Sequence, residues 1–208
     1  MQVIQAGRPV DRSKDNAILQ AARHLLSTSG IGSLSMEAVA KAAGVSKATL
    51  YNRFANRQQL IEALLSSQTE FFSETLQQVG ATVGESQQAL IESSVRLLEF
   101  LLSDEQQCLM NVMQSGAEIP AELCAMMYQH GPQATFDNFV GWLDKVDAAG
   151  QLQLGDSHFA GECLFGMLVG MDWIRGVFRA PVQRQPALIR SHVERVIALF
   201  WQLFAVKP

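Results

Sequence analysis

The stretch "MEAVAKAAGVSKATLYNRF", Met36 to Phe54, decides how the chain folds. Met36, Val39 and Ala40 share one helical face behind Ser35, a residue suited to the N-cap. Gly44 then breaks the run, and Ser46 caps a second helical pattern in which Val45, Leu50 and Phe54 point inward. Two short helices that cross closely need a small residue where they touch and a glycine where the chain turns, and Ala40 and Gly44 supply both. A preceding helix is predicted over 13–29, where Ile18, Ala21, Ala22, Leu25 and Leu26 line one face and Gly30 ends the pattern. The result is a three-helix unit whose last helix can enter a DNA major groove.

The outer side of that last helix carries Ser46, Lys47, Ala48, Thr49, Tyr51, Asn52 and Arg53. The hydroxyls of Thr49 and Tyr51 and the charges of Lys47, Arg53 and Arg57 suit phosphate contacts. Lys47 and Asn52 also suit base edges, Lys for guanine acceptors and Asn for adenine, while Ala48 can pack on a thymine methyl. The bland alternative is a solvated helix face in a bundle. Charge tips the balance: residues 1–60 hold eight basic and three acidic residues, net +5, and the rest holds eight basic and seventeen acidic, net −9, a division hidden by the overall −4. Such asymmetry points to a polyanion partner for the first segment.

Residues 33–65, "SLSMEAVAKAAGVSKATLYNRFANRQQLIEALL", closely resemble the signature of the TetR/AcrR family of bacterial transcriptional regulators. Ala-Gly-Val-Ser, Thr-Leu-Tyr, Phe, a basic residue and Leu stand at the family's spacing. The resemblance covers about 13–65 and fades beyond. It implies phosphate contacts from Thr49, Tyr51, Arg53 and Arg57, with Ser35 holding the backbone at the start of the first short helix. It also makes Lys47, Ala48 and Asn52 the base-reading set. Arg57 stands where the family usually has Lys, and Ala48 where Gly is frequent; the first preserves the contact, and the second leaves groove specificity open. The resemblance further implies a homodimer on a palindromic double-stranded operator, released when a small, mainly hydrophobic effector splays the two heads.

The remaining periodicity is helical, without β-branched alternation, so the fold class is all-α: an N-terminal helix-turn-helix head joined by a long helix to a C-terminal ligand-binding and dimerisation body. The expected division is 1–12 as an arm, 13–56 as the DNA-binding domain and 57–208 as the regulatory and dimerisation domain. In the arm, Arg8 either reaches a minor groove or belongs to a simple tail. A long helix is predicted over 57–79, followed by others near 86–102, 104–115, 121–128, 133–148, 156–179 and 185–205, with "HGP" at 130–132 as punctuation.

Two surfaces are expected in the body. Phe100, Met110, Met113, Met127, Trp142 and Phe165 are candidate lining for an apolar effector site, although Met and aromatic residues at this spacing equally make core. His130, Asn138, Glu162 and Asp172 are the polar groups placed to orient a ligand, with the alternative that Asp172 simply pairs with Arg175 at i+3. For the dimer, the last two helices are apolar around much of their circumference. Gly166, Gly170, Trp173 and Val177 on one, and Val193, Ile197, Phe200 and Phe204 on the other, are the expected interface.

Enzyme classes find little support. "GVSKA" lacks the closing Gly and the strand of a nucleophile elbow, and "GIGSLS" lacks the third Gly of a dinucleotide loop. The four His form no HExxH or other metal spacing, and three Cys without CxxC argue for free thiols, so neither metal nor cofactor is expected. No secretory pattern opens the sequence, and the longest apolar run falls short of the about 20 residues a membrane span needs, which reads as a soluble cytoplasmic protein. The competing function is an architectural or division-control DNA-binding protein without an inducer.

Overall fold

The computed structural model describes residues 12–103, 106, 120–178, 180 and 185–206. Arg8 of the arm, and Cys108, Met110 and Met113 in the helix expected at 104–115, lie outside them. The helices are α1 (Arg12–Ser29), α2 (Met36–Ala42), α3 (Lys47–Tyr51), α4 (Arg57–Ser73), α5 (Val83–Leu101), α6 (Ala121–Tyr128), α7 (Ala134–Ala148), α8 (Ser157–Val177) and α9 (Pro186–Leu203). Short 3-10 turns follow α1 and α4, and no strand occurs among the described residues. The all-α class read from the periodicity holds.

The chain divides between Leu64 and Leu65 into two compact units. The division falls inside α4 and not at its first residue, since the opening turns of α4, with Leu60, Ile61 and Leu64 buried, group with the head. In the head, Ile18, Ala22, Leu26, Leu34, Val39, Ala40, Leu50 and Phe54 are buried with them. The body's core joins Phe72 and Leu76 to Leu90, Leu97 and Leu98 of α5, Phe139, Trp142 and Leu143 of α7, Leu164 and Leu168 of α8, and Ile189, Val193, Ile197 and Phe200 of α9.

Local chemistry sets the helix ends. Thr82 and Glu85 form a capping box at the start of α5, the Thr hydroxyl accepting from Glu85 N and the Glu carboxylate accepting from Thr82 N. Asp156 accepts from Phe159 N at 3.0 Å to open α8, and Pro186 occupies the first turn of α9. The predicted helix over 57–79 stops at Ser73. There the Ser73 hydroxyl donates to Thr69 O, and the Thr75 hydroxyl reaches across to Ala89 O, so side chains compete with the backbone ladder.

Two segments depart from the expected pattern. "HGP" does not end a helix: Gln129–Gln133 form a π turn running directly into α7, with Thr69 Oγ1 donating to His130 O at 3.2 Å. The wider turn accommodates Pro132, which has no N–H to donate and whose ring clashes with the carbonyl of a normal α turn. α8 is broken at Gly170, where φ is 53° and ψ is −148°. Gly170 was expected to let a partner helix approach; it instead allows a backbone conformation closed to other residues. Replacing it with Ala is expected to cost about 1–3 kcal/mol. Gly141→Ala, in regular helix with nothing within 4 Å of an added Cβ, is expected to gain roughly 0.5–1 kcal/mol. Thermal unfolding of both variants checks this opposition of signs.

The expected dimer residues on α9 are also redistributed. Val193, Ile197 and Phe200 are fully buried in the protomer's own core, where α9 packs along α5, so they are unavailable to a second chain. Trp173 and Phe204 are half-buried, the latter packing on Phe200 at 4.9 Å, and Gly166 is exposed. The side chain of Val177 lies outside the described residues. The outward apolar residues are Phe159, Met171, Ile174 and Phe178 along α8 and its end, and Leu188, Leu199 and Leu203 along α9.

A surface pair ties α9 to α5: Arg190 donates through both terminal nitrogens to the two Glu92 oxygens, at 2.8 and 2.9 Å. This hydrogen bonding, against a smaller opposing effect of desolvation, holds the Glu92 carboxyl below its usual range. A depressed carboxylate stabilises the fold above its unfolded value, so this contribution fades only as pH falls through the lowered one.

Candidate nucleic-acid interface

The helix-turn-helix is built by hydroxyl caps around one left-handed glycine. Ser35 Oγ accepts from Ala38 N at 3.1 Å and starts α2. Gly44 takes φ of 65°, and Val45 N then donates to Ala40 O at 3.0 Å, folding the chain back over the small residue. Ser46 Oγ accepts from Thr49 N at 3.1 Å and lies 2.8 Å from the Thr49 hydroxyl, so the cap and the first turn of α3 are fixed together. Leu50 and Phe54 are buried beneath, while Val45 is only half-buried.

That arrangement turns a compact set outward. Lys47, Ala48 and Asn52 are exposed, Tyr51 keeps half its surface in solvent, and Thr49 is intermediate. Asn52 caps the C-terminus of α3, its N–H donating to Ala48 O, which leaves its amide side chain in solvent at the helix end. Ser46 and Ser35 serve as caps, their oxygens already accepting backbone bonds.

The two arginines expected at phosphates are engaged elsewhere. Arg53 forms an ion pair with Asp15 of α1, both partners being largely shielded, and Arg57 donates to the carbonyl of Ile31 in the turn after α1. Arg53 ties the end of α3 back to α1, and Arg57 ties the start of α4 to the turn that follows α1. Arg53 therefore has a carboxylate partner, and Arg57 a backbone carbonyl, within the head itself. Sequence reasoning missed a third engaged charge: Glu37, in the first turn of α2, pairs with Lys47. The crossing geometry of the two short helices was the available signal, because it sets the first turn of α2 near the start of α3.

In the body, the candidate effector residues do not all gather. Phe100 packs against Phe72 in a tilted pair at 5.3 Å, and Phe165 packs edge-on between Phe136 and Phe139 at 5.3 and 5.2 Å. Met127 is buried, and Trp142 is buried with its indole N–H donating to Gln78 O. His130 is half-buried in the π turn, whereas Asn138 is largely exposed and donates to Ser73 Oγ at 3.3 Å. Glu162 faces solvent and is withdrawn from any interior site. Asp172 is buried and accepts from Arg175 at 2.7 Å, the pairing that its spacing allowed.

With a capped helix-turn-helix in one unit and a separate helical core in the other, the molecule is built as a DNA-binding regulator. Residues 18–64 match the bacterial regulatory proteins of the tetR family, and residues 88–206 match the C-terminal domain of AefR-like transcriptional repressors. The chain belongs to the TetR family of transcriptional regulators, whose members are not enzymes. It is similar to YdeS of Bacillus subtilis (strain 168), an uncharacterized HTH-type transcriptional regulator, with 33% identity over 100 residues, and the match spans 48%, about half, of each chain. In fold it is similar to a TetR transcriptional regulator from Agrobacterium tumefaciens, at 21% identity and TM-score 0.70, over 93% of this chain and 95% of that one. The flavonoid-responsive regulator FrrA is similar at 24% identity and TM-score 0.64, over 95% and 100% of the two chains. No helix among the described residues is long and apolar enough to cross a membrane.

Proposed function

We propose that this regulator is a homodimeric repressor that binds a palindromic operator and leaves it when a small, mainly hydrophobic effector enters the body. The observation that carries the repressor reading is the match of residues 88–206 to a repressor C-terminal domain. The exposed apolar residues of α8 and α9 support the dimer, since several large apolar side chains left outward on two helices suit an interface. A two-fold pair of heads suits half-sites about one DNA turn apart, roughly 34–36 Å. The half-buried side chains of Phe100 and Phe165, with Met127 and His130, are the proposed effector contacts. A flavonoid-responsive relative by fold makes planar aromatic compounds the first effectors to try.

The test is footprinting on the DNA flanking the chain's own coding region, with and without such compounds. A protected palindrome that is lost on adding one of them supports the reading; protection that no compound alters argues for a regulator without an inducer. Moving the dimer from 1:99 to 99:1 between binding and released forms requires about 5.5 kcal/mol of effector preference, so a weak ligand gives partial release.

Within the interface, Thr49 and Tyr51 are proposed to hold phosphates, and Lys47, Ala48 and Asn52 to face bases. Arg53 and Arg57 are proposed mainly to position α3. Tyr51→Ala is expected to weaken binding to operator and random duplex alike. Asn52→Ala is expected to shift base preference, with about 1–3 kcal/mol lost at one position. Equal losses on both duplexes for Asn52→Ala would remove its base-reading role.

A further inference from the structure

Glu37 and Lys47 come from different helices, yet their side chains meet at the head's surface, with 69% and 62% of their areas exposed. No buried charge requires this pair. The hydrogen bond and positive charge of Lys47 hold the Glu37 carboxyl below its usual range, so Glu37 stays a carboxylate at neutral pH. It sits where the proposed DNA surface begins, at the first residue of α3.

A lysine paired to a carboxylate brings no net charge to a polyanion. Its phosphate contact then gains little from counterion release, because the carboxylate must approach the same backbone. At a base edge the balance is different. Lysine donates to guanine O6 or N7, and a neighbouring carboxylate accepts from the cytosine amino group, so together they match a G·C pair in the major groove. Random DNA contacts reward free positive charge, whereas this pair rewards one pattern of donors and acceptors.

We propose that Glu37 is a specificity-determining residue, which withholds Lys47 from phosphates on non-cognate DNA and, together with it, reads a G·C pair of the operator. This rests on α3 being the helix that enters the groove.

The test uses a duplex selected by the full-length wild-type protein from a randomised pool, alongside a random duplex. Affinity is measured against salt for wild type, E37Q, K47Q and the double variant. E37Q is expected to bind the random duplex about three- to tenfold more tightly, with a salt slope steeper by about 0.9. Its gain on the selected duplex is smaller, so the specificity ratio falls. In the K47Q background the effect of E37Q on random DNA is expected to shrink below about twofold. An unchanged slope and ratio in E37Q, or the same gain whether or not Lys47 is present, overturns the proposal. Failure of the underlying reading looks different: K47Q itself would leave all binding unaltered, or no duplex would be enriched, and either result removes the proposal as well.

Discussion

A variant carrying Leu199→Glu and Leu203→Glu is expected to be a folded monomer whose affinity for a two-half-site operator falls by about 10²- to 10⁴-fold. Both leucines are outward-facing, at 48% and 62% exposure, and stand one turn apart on α9 with Leu188 on the same side. They make no part of the protomer's core, so the charges cost little folding stability, but at an apolar dimer surface each would be buried unpaired. The loss on DNA follows from tethering: in a dimer the second head binds its half-site at high effective concentration, an advantage that vanishes when the protomers separate. Light scattering and titration of the palindrome read the two effects independently. A double variant that remains a dimer would move the interface elsewhere.

Leu50→Ala is expected to have the other large effect, and it acts through the head alone. Leu50 is fully buried where α3 meets the rest of the first unit. Truncating such a side chain costs about 2–5 kcal/mol through lost transfer energy and the cavity left behind. That is a large share of the about 5–15 kcal/mol that holds a typical domain together, and α3 is only five residues long, with little of its own to hold it. DNA binding should therefore be lost while the body stays folded, visible as a small early unfolding step and fast amide exchange confined to the head. Full operator affinity for this variant would show that the head's core does not depend on Leu50.

Much of the head was legible because its determinants are local. Ser35, Gly44 and Ser46 act on backbone within three or four residues of themselves, and Ala40 with Leu50 declares an inward face by spacing alone. The outward set Lys47, Ala48, Tyr51 and Asn52 followed from the same periodicity. What stayed hidden were partners at long separation: Asp15 for Arg53, Ile31 O for Arg57 and Glu37 for Lys47. A basic residue on an exposed face reads as a free cation until a second helix supplies its partner. Hence phosphate contacts were expected from arginines that the fold uses as internal ties.

In the body, sequence periodicity established that the last two helices are broadly apolar, but an apolar helix can face its own core or another chain. Tertiary packing decided between them by laying Val193, Ile197 and Phe200 against the protomer and leaving Leu199 and Leu203 outside. Helix continuity was similarly undetermined. Pro132 sits inside a π turn and Gly170 breaks a helix, because the surrounding packing selects among backbone states that each residue permits. The sequence by itself determined the helical class, the helix-turn-helix and the family, since caps, turns and periodicity are short-range chemistry. Only the tertiary structure decided which charges are spoken for and which apolar faces remain open, since both depend on residues brought together from distant parts of the chain.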